Sequence, residues 1–236
     1  MTTQPVGLSY NLAPRQVMRA TVGEFDMAVW RSTSGVVSAW DNRCPHRGMR
    51  LSYGFVRGES LACAYHGWHY SCEGYCHYIP AHPELTPPKT VRPVMHSVRE
   101  YGGIIWVNPA GNTAGDMASD ATNDATPVTL PGNPQPLRSL AINGPLDSAL
   151  QALANVPAAD AGEFQVQTLS ESPRVLSLSA AAFSDQLYVA LQASQPDRTI
   201  AHVVTGNAMT TDQRVSLSRW LEAIRRSAES MQGTMA

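Results

Sequence analysis

Two short pairs of residues carry the chemistry of this 236-residue chain: Cys44-Pro45-His46 and, after sixteen intervening residues, Cys63-Ala64-Tyr65-His66. Two thiolates and two imidazoles in Cys-x-His and Cys-x-x-His pairs suit an iron–sulfur centre with unequal irons. The thiolates would hold one iron and the imidazoles the other. Exchanging two thiolates for neutral imidazoles removes negative charge from the cluster and raises its potential relative to an all-cysteine site. Such a ligand set points to one-electron transfer. Each pair is short enough to lie on one loop, so two neighbouring loops can grip a cluster between them. Pro45 and Gly48 stiffen and open the first loop, and Gly67 does the same for the second.

Other readings of the same residues stay open. Two cysteines and two histidines also suit tetrahedral zinc. A zinc finger, however, groups its cysteines together and its histidines together on a helix, whereas here each loop has one of each. The four residues could also be unrelated core and surface groups. Cys72 and Cys76 read as free buried thiols, with a redox-labile pair or extra metal ligands as the alternative. His69, His77, His82 and His96 lack partners at metal spacing and read as packing or surface residues. Trp40, Tyr53, Tyr65, Trp68 and Tyr70 crowd the ligand pairs and are expected to shield the inner face of the site.

The elements that must hold these loops are strands. Residues 16–22, 25–31 and 36–41 are β-rich runs broken by Gly23-Glu24 and Ser34-Gly35, and 61–64 and 104–107 are further candidates. No helical period of useful length precedes residue 110, so residues 1–110 are expected to form a small antiparallel β domain. Residues 111–137 have linker composition, rich in Ala, Thr, Asn, Gly, Pro and Asp. A third segment, 138–236, reads as an α+β unit. It opens with a helix after Asn143-Gly144-Pro145, followed by strand-like runs at 164–169, 174–180, 186–192 and 199–205. A last helix starts at the capping box Thr210-x-x-Gln213 and places Leu217, Trp220, Leu221, Ile224, Ala228 and Met231 on one face, ending near Gly233.

Composition narrows the function classes. The net charge of -2 argues against a nucleic-acid partner, and no run of 18 apolar residues suggests a membrane helix. Met1 to Tyr10 lacks the basic and apolar regions of a secretory signal, so the cytoplasm is the expected compartment. Clustered Cys and His in such a reducing compartment read as metal ligands rather than as a disulfide framework. Residues 1–110 carry ten Lys and Arg against seven Asp and Glu, whereas 111–236 carry seven against twelve. Arg43, Arg47, Arg50 and Arg57 lie close to the first pair, either as a solvated surface or as a basic collar for an acidic redox partner.

Arg43-Cys-Pro-His-Arg-Gly48, Cys63-Ala-Tyr-His-Gly-Trp68 and Cys76-His-Tyr-Ile-Pro80 resemble the Rieske domains of bacterial Rieske oxygenase systems. That resemblance implies an antiparallel β-sandwich with a Rieske-type [2Fe-2S] cluster, Cys44 and Cys63 on one iron and His46 and His66 on the other. The respiratory-type domain adds a disulfide between its ligand loops and a serine after the second pair. Here Met49 and Trp68 stand at the corresponding places, and neither Cys72 nor Cys76 lies inside a ligand loop. Fewer donors to the sulfurs imply a potential at the bottom of the Rieske range, around -150 mV.

In a Rieske oxygenase the cluster feeds a mononuclear iron held by two histidines and a carboxylate. After His96 the chain has one histidine, His202, so that iron site is expected to be absent and no residue is assigned a catalytic role. The 138–236 unit then reads as a remnant of the oxygenase catalytic fold. Met27-Ala-Val-Trp-Arg31, Pro80-Ala-His-Pro-Glu-Leu-Thr-Pro-Pro88 and Ala223-Ile-Arg-Arg-Ser-Ala-Glu229 resemble the N-terminal Rieske region of methylxanthine N-demethylase reductases. The chain is expected to be a detached domain of such a reductase or a stand-alone counterpart. The implied function is one-electron transfer from an NAD(P)H-dependent flavin- or ferredoxin-type reductase to a separate non-haem iron oxygenase. The alternatives are an oxygenase subunit with an atypical iron site and a structural subunit in which the cluster is incidental. Self-association into an oligomer is compatible with each.

Overall fold

The computed structural model describes residues 2–112, 130, 133–157, 164–172, 174–180 and 183–231. By density of contacts the chain forms two compact units whose boundaries interleave in sequence. The first takes Ser9–Arg99 and the run from Val107; the second takes Thr2–Leu8, Glu100–Trp106 and the described residues from 130 onward. The expected linker, 111–137, is bounded by structure at both ends, and its residues 113–129 and 131–132 lie outside the described residues.

Strand β1 (Gln4–Leu8) belongs to the second unit. The first unit is built on β2 (Val17–Val22), β3 (Phe25–Arg31) and β4 (Val37–Asp41). Strands β2 and β3 form an antiparallel hairpin from Val17 opposite Trp30 to Val22 opposite Phe25. Met27, Ala28, Val29 and Trp30 are buried on both faces of the sheet, as a central strand requires. A second sheet holds β5 (Phe55–Arg57), β6 (Ser60–Ala62), β7 (His69–Ser71) and β8 (Cys76–Tyr78) in that spatial order. Strand β9 (Met95–Tyr101) returns to β4, Ala39 opposite His96 and Trp40 opposite Met95. Buried His96 holds this join, its Nε2 2.9 Å from Asp41 Oδ1.

The two sheets of the first unit pack face to face through Ala28, Trp30, Trp40, Leu51, Val56, Leu61, Tyr70 and Met95, the β-sandwich expected from sequence. Trp30 and Trp40 meet edge to face with centroids 5.0 Å apart. The pleat of the smaller sheet sorts its residues by face. Val56, Leu61, Tyr70 and Cys76 form one cross-strand row, and Phe55, Ala62, His69 and Tyr78 form the next. A bulge at His77 keeps both rows aligned across β7 and β8. The first row enters the core and the second lies on the outer side.

The second unit is an antiparallel sheet in the order β11-β15-β14-β13-β12. Its strands are β11 (Gln135–Ile142), β12 (Gln165–Glu171), β13 (Arg174–Ala180), β14 (Phe183–Gln195) and β15 (Arg198–Thr205). Helices α1 (Leu146–Asn155) and α2 (Thr211–Ser230) cover one face over Leu140, Ile142, Leu176, Leu178, Leu187, Val189, Leu191 and Val203. The Thr210–Gln213 capping box forms as its spacing predicts. Gly233, where the helix was expected to end, lies outside the described residues. Strand β11, not anticipated from sequence, pairs with β15 and makes the sheet five-stranded. The other face carries Val175, Ala190 and Val204, covered by Leu8 of β1 and by Ile104 and Trp106 of β10 (Ile104–Asn112).

His202 sits on that second face, fully buried. Its Nε2–H donates to Gln192 Oε1 at 3.0 Å, and its Nδ1 accepts from the Ser139 hydroxyl at 2.8 Å. Burial lowers its pKa to about 4. The folded state therefore holds a neutral imidazole, while the unfolded chain protonates it below its ordinary value of about 6.5. Stability is fully present above that value and is lost as pH falls toward 4. The loss between pH 7.5 and 5 is expected to be about 2 kcal/mol. Urea-unfolding midpoints at a series of pH values should show this slope, and His202→Gln should remove it.

Candidate metal centre

The four candidate ligands lie on two loops of the first unit, and the loops are built alike. The first runs from Cys44 to Met49 and the second from Cys63 to Trp68, six residues each. In the first, the Cys44 amide donates to Met49 O at 2.8 Å and the Gly48 amide to Cys44 O at 2.8 Å. In the second, the Cys63 amide donates to Trp68 O at 2.9 Å and the Gly67 amide to Cys63 O at 3.0 Å. The fifth residue of each loop must take the left-handed conformation to close this pattern, and both are glycine, with φ +72° and +68°. Histidine stands third in the first loop and fourth in the second.

Closure aims the amides inward. The Cys44 sulfur accepts from the amides of His46 and Arg47, and the Cys63 sulfur from those of Tyr65 and His66. The two buried thiols, both free, also share a hydrogen bond. That bond is the largest cause lowering the Cys44 pKa, and it raises that of Cys63, which keeps the shared proton. A pair so arranged already stabilises one thiolate before any metal arrives. Tyr70, from the inner row of the small sheet, completes the sulfur surroundings with its hydroxyl 3.2 Å from Cys44 Sγ. Burial, then this bond, pushes the Tyr70 phenol well above its ordinary range, so it stays a neutral donor.

The imidazoles lie on the outer side of the thiols. The rings of half-buried His46 and exposed His66 are 4.7 Å apart. Each is held by an aromatic neighbour. Trp68 of the second loop stacks on His46 of the first, 4.0 Å between centroids and 8° between planes. Tyr65 lies over His66 at 3.8 Å and 31°. The first loop is also fastened at its base by buried Asn42. Its Nδ2 donates to Asp26 Oδ1 at 3.0 Å, and its Oδ1 accepts from the Ser52 amide at 2.7 Å.

This arrangement fits a two-iron cluster by its donors: paired thiols inside, paired imidazoles outside. Among the described residues no group of three or more His, Cys, Asp or Glu converges as a single-ion site would require. The remaining candidates lie apart. Cys76 is buried in the inner row, its pKa pushed up to about 11 by burial, and Cys72 Sγ lies 3.5 Å from Glu59 O. His77 Nε2 lies 2.7 Å from Ser60 Oγ, and His69 packs edge-on to Tyr78 at 5.2 Å. His82 is exposed. The aromatic shield is smaller than expected: Trp40 and Tyr70 are inside, while Tyr53 and Tyr65 are 63% and 55% exposed. The sequence reading missed the tyrosine–thiol bond. Its signal was Tyr70 flanked by polar His69 and Ser71, the alternation of a half-buried strand.

The loop glycines should differ in tolerance. A Cβ at Gly48 would meet only the flexible Arg43 side chain at 3.4 Å, but one at Gly67 would lie 2.9 Å from Pro80 Cγ. Gly48→Ala should cost about 1 kcal/mol from its left-handed backbone, and Gly67→Ala roughly 2 kcal/mol or more. Chemical denaturation of the metal-free protein would measure both.

The Rieske [2Fe-2S] domain family matches residues 2–98. The oxidoreductase NdmD of Pseudomonas putida is 47% identical over 103 residues, 43% of this chain and 18% of that protein. The 4beta-methylsterol monooxygenase of Methylococcus capsulatus is 39% identical over 108 residues, 44% of this chain and 29% of that protein. The chain thus matches less than a third of the length of either relative. Pseudomonas putida CBB5 NdmA superposes with TM-score 0.72 over 97% of this chain and 81% of that chain, at 15% identity, a likeness of fold.

Proposed function

We propose that the chain, whose residues 2–98 match the Rieske [2Fe-2S] domain family, is a one-electron carrier. Cys44 and Cys63 hold one iron and His46 and His66 the other. It takes electrons from an NAD(P)H-dependent flavin- or ferredoxin-type reductase and passes them to a separate non-haem iron oxygenase of a demethylase or hydroxylase system. One observation carries this reading: two identically closed loops bring two thiols together inside and two imidazoles together on the accessible side. When bound, the cluster supplies one reversible electron. The protein's part is to bury the sulfur side, hold the imidazole rings by stacking, and leave an edge within reach of a partner.

Residues 1–110 would form the cluster domain and 138–236 a unit for docking or assembly. No helix among the described residues is long and apolar enough to cross a membrane. A cytoplasmic setting is part of the proposal, because reduced clustered cysteines suit a reducing compartment. The carrier reading predicts two irons and two sulfides per chain, and an EPR signal on chemical reduction that Cys44→Ser abolishes. Three irons per chain and turnover without a second protein would replace the carrier by an oxygenase subunit. The 39% identity to the 4beta-methylsterol monooxygenase supports that second reading. Against it, both ring nitrogens of His202 are engaged by Ser139 and Gln192.

Tyr70 supplies a donor that the low expected potential left out. Its hydroxyl bond to Cys44 strengthens as the sulfur gains negative charge, so it favours the reduced state. If the bond differs by about 1 kcal/mol between redox states, Tyr70→Phe should lower the midpoint potential by roughly 40 mV, at 59 mV per 1.4 kcal/mol. A dye-mediated redox titration of both proteins would test it.

A further inference from the structure

We propose that the outward face of the second ligand loop and the small sheet, with exposed Tyr65, Arg47 and Arg57, is a docking surface for an acidic electron-transfer protein. The inference rests on the carrier reading and names the chemistry of its partner. Of the five exposed aromatic side chains among the described residues, four (Tyr53, Phe55, Tyr65 and Tyr78) lie between residues 53 and 78. That interval contains the second ligand loop. Phe55 and Tyr78 stand in the outer row of the small sheet with Ala62 and His69, the two residues that bracket the loop. Tyr65 covers the ring of His66 while remaining 55% exposed. Exposed tyrosines beside arginines are the composition of interface centres, where rigid rings lose little entropy on binding.

Charge gives the partner its sign. Between Asp41 and Glu73 the chain has four arginines and a single carboxylate, Glu59. Glu59 is tied to Ser34, accepting from its amide at 3.0 Å and its hydroxyl at 2.6 Å. Two of the arginines are partly offset: Arg43 and Arg50 share a surface hollow with Glu24, Asp26 and Asp41. The others are not. Arg47 adjoins His46 and is exposed, and Arg57 lies over the Phe55 ring at 5.0 Å. Neither makes an ion pair among the described residues. Exposed aromatic rings together with two unpaired guanidiniums favour a carboxylate-rich surface and repel a basic one.

The test uses the reduced, cluster-loaded full chain, mixed in stopped flow with two protein oxidants of opposite charge, an acidic plastocyanin and a basic cytochrome c. At low ionic strength the acidic oxidant should react at least about tenfold faster, and added salt should erase the difference. Arg57→Glu should slow the plastocyanin reaction about tenfold and speed the cytochrome c reaction. Phe55→Ala should slow the plastocyanin reaction at any salt concentration, with the visible spectrum of the cluster unchanged. Equal rates for the two oxidants, a faster cytochrome c, or indifference to both salt and Arg57→Glu would overturn the docking surface. The wild-type salt dependence decides the matter even if a variant fails to fold. A chain that binds no reducible cluster would instead overturn the carrier reading, so the two failures are distinguishable.

Discussion

Two six-residue loops must each close on themselves and at the same time turn a thiol inward and an imidazole outward; the rest of the first unit serves that requirement. Closure takes two backbone hydrogen bonds per loop and a left-handed fifth residue, which is why Gly48 and Gly67 recur at equivalent places. The same closure points amides at each cysteine sulfur. Offset histidines, third in one loop and fourth in the other, then bring the two rings to the same side. Trp68 joins the loops by stacking on His46, so neither loop can shift without disturbing the other.

The sandwich behind the loops sets the polarity of the site. One cross-strand row of the small sheet faces inward and delivers Tyr70 to Cys44; the adjacent row faces outward with Phe55, His69 and Tyr78. A one-residue slip in this sheet would exchange the rows, bury the outer aromatics and withdraw the tyrosine from the sulfur. The bulge at His77 therefore keeps Tyr70 within reach of Cys44 as well as aligning the packing rows. The second unit shows a different treatment of a buried polar group. Its only histidine is kept neutral, with both nitrogens satisfied by side chains of neighbouring strands.

Much of this was legible in the sequence because the signals were local. Cys-x-His and Cys-x-x-His spacing, the β-rich runs of β2, β3 and β4, and the Thr210–Gln213 box each report on a few consecutive residues. What escaped was non-local. Strand β11 begins in a stretch of linker composition and has no pattern of its own; its pairing with β15 makes it a strand. The three-residue strands β5, β7 and β8 are too short to show a period. The tyrosine–thiol bond joins residues 26 apart, and the passage of β1 and residues 100–106 into the second unit is set by packing on its sheet. Exposure was equally hidden. Tyr53, Tyr65, Trp68 and Tyr70 look alike in sequence, yet Tyr53 and Tyr65 face solvent, Trp68 stacks on His46 and Tyr70 reaches a sulfur.

The central claim is that paired thiols serve one iron and paired imidazoles the other. Mössbauer spectroscopy of the oxidised protein loaded with 57Fe tests it without a partner or a substrate. Two unequal ligand sets predict two quadrupole doublets of equal area, one from the thiolate-bound iron and one from the imidazole-bound iron. A single doublet, the result for two equivalent irons, would contradict the assignment of Cys44, His46, Cys63 and His66.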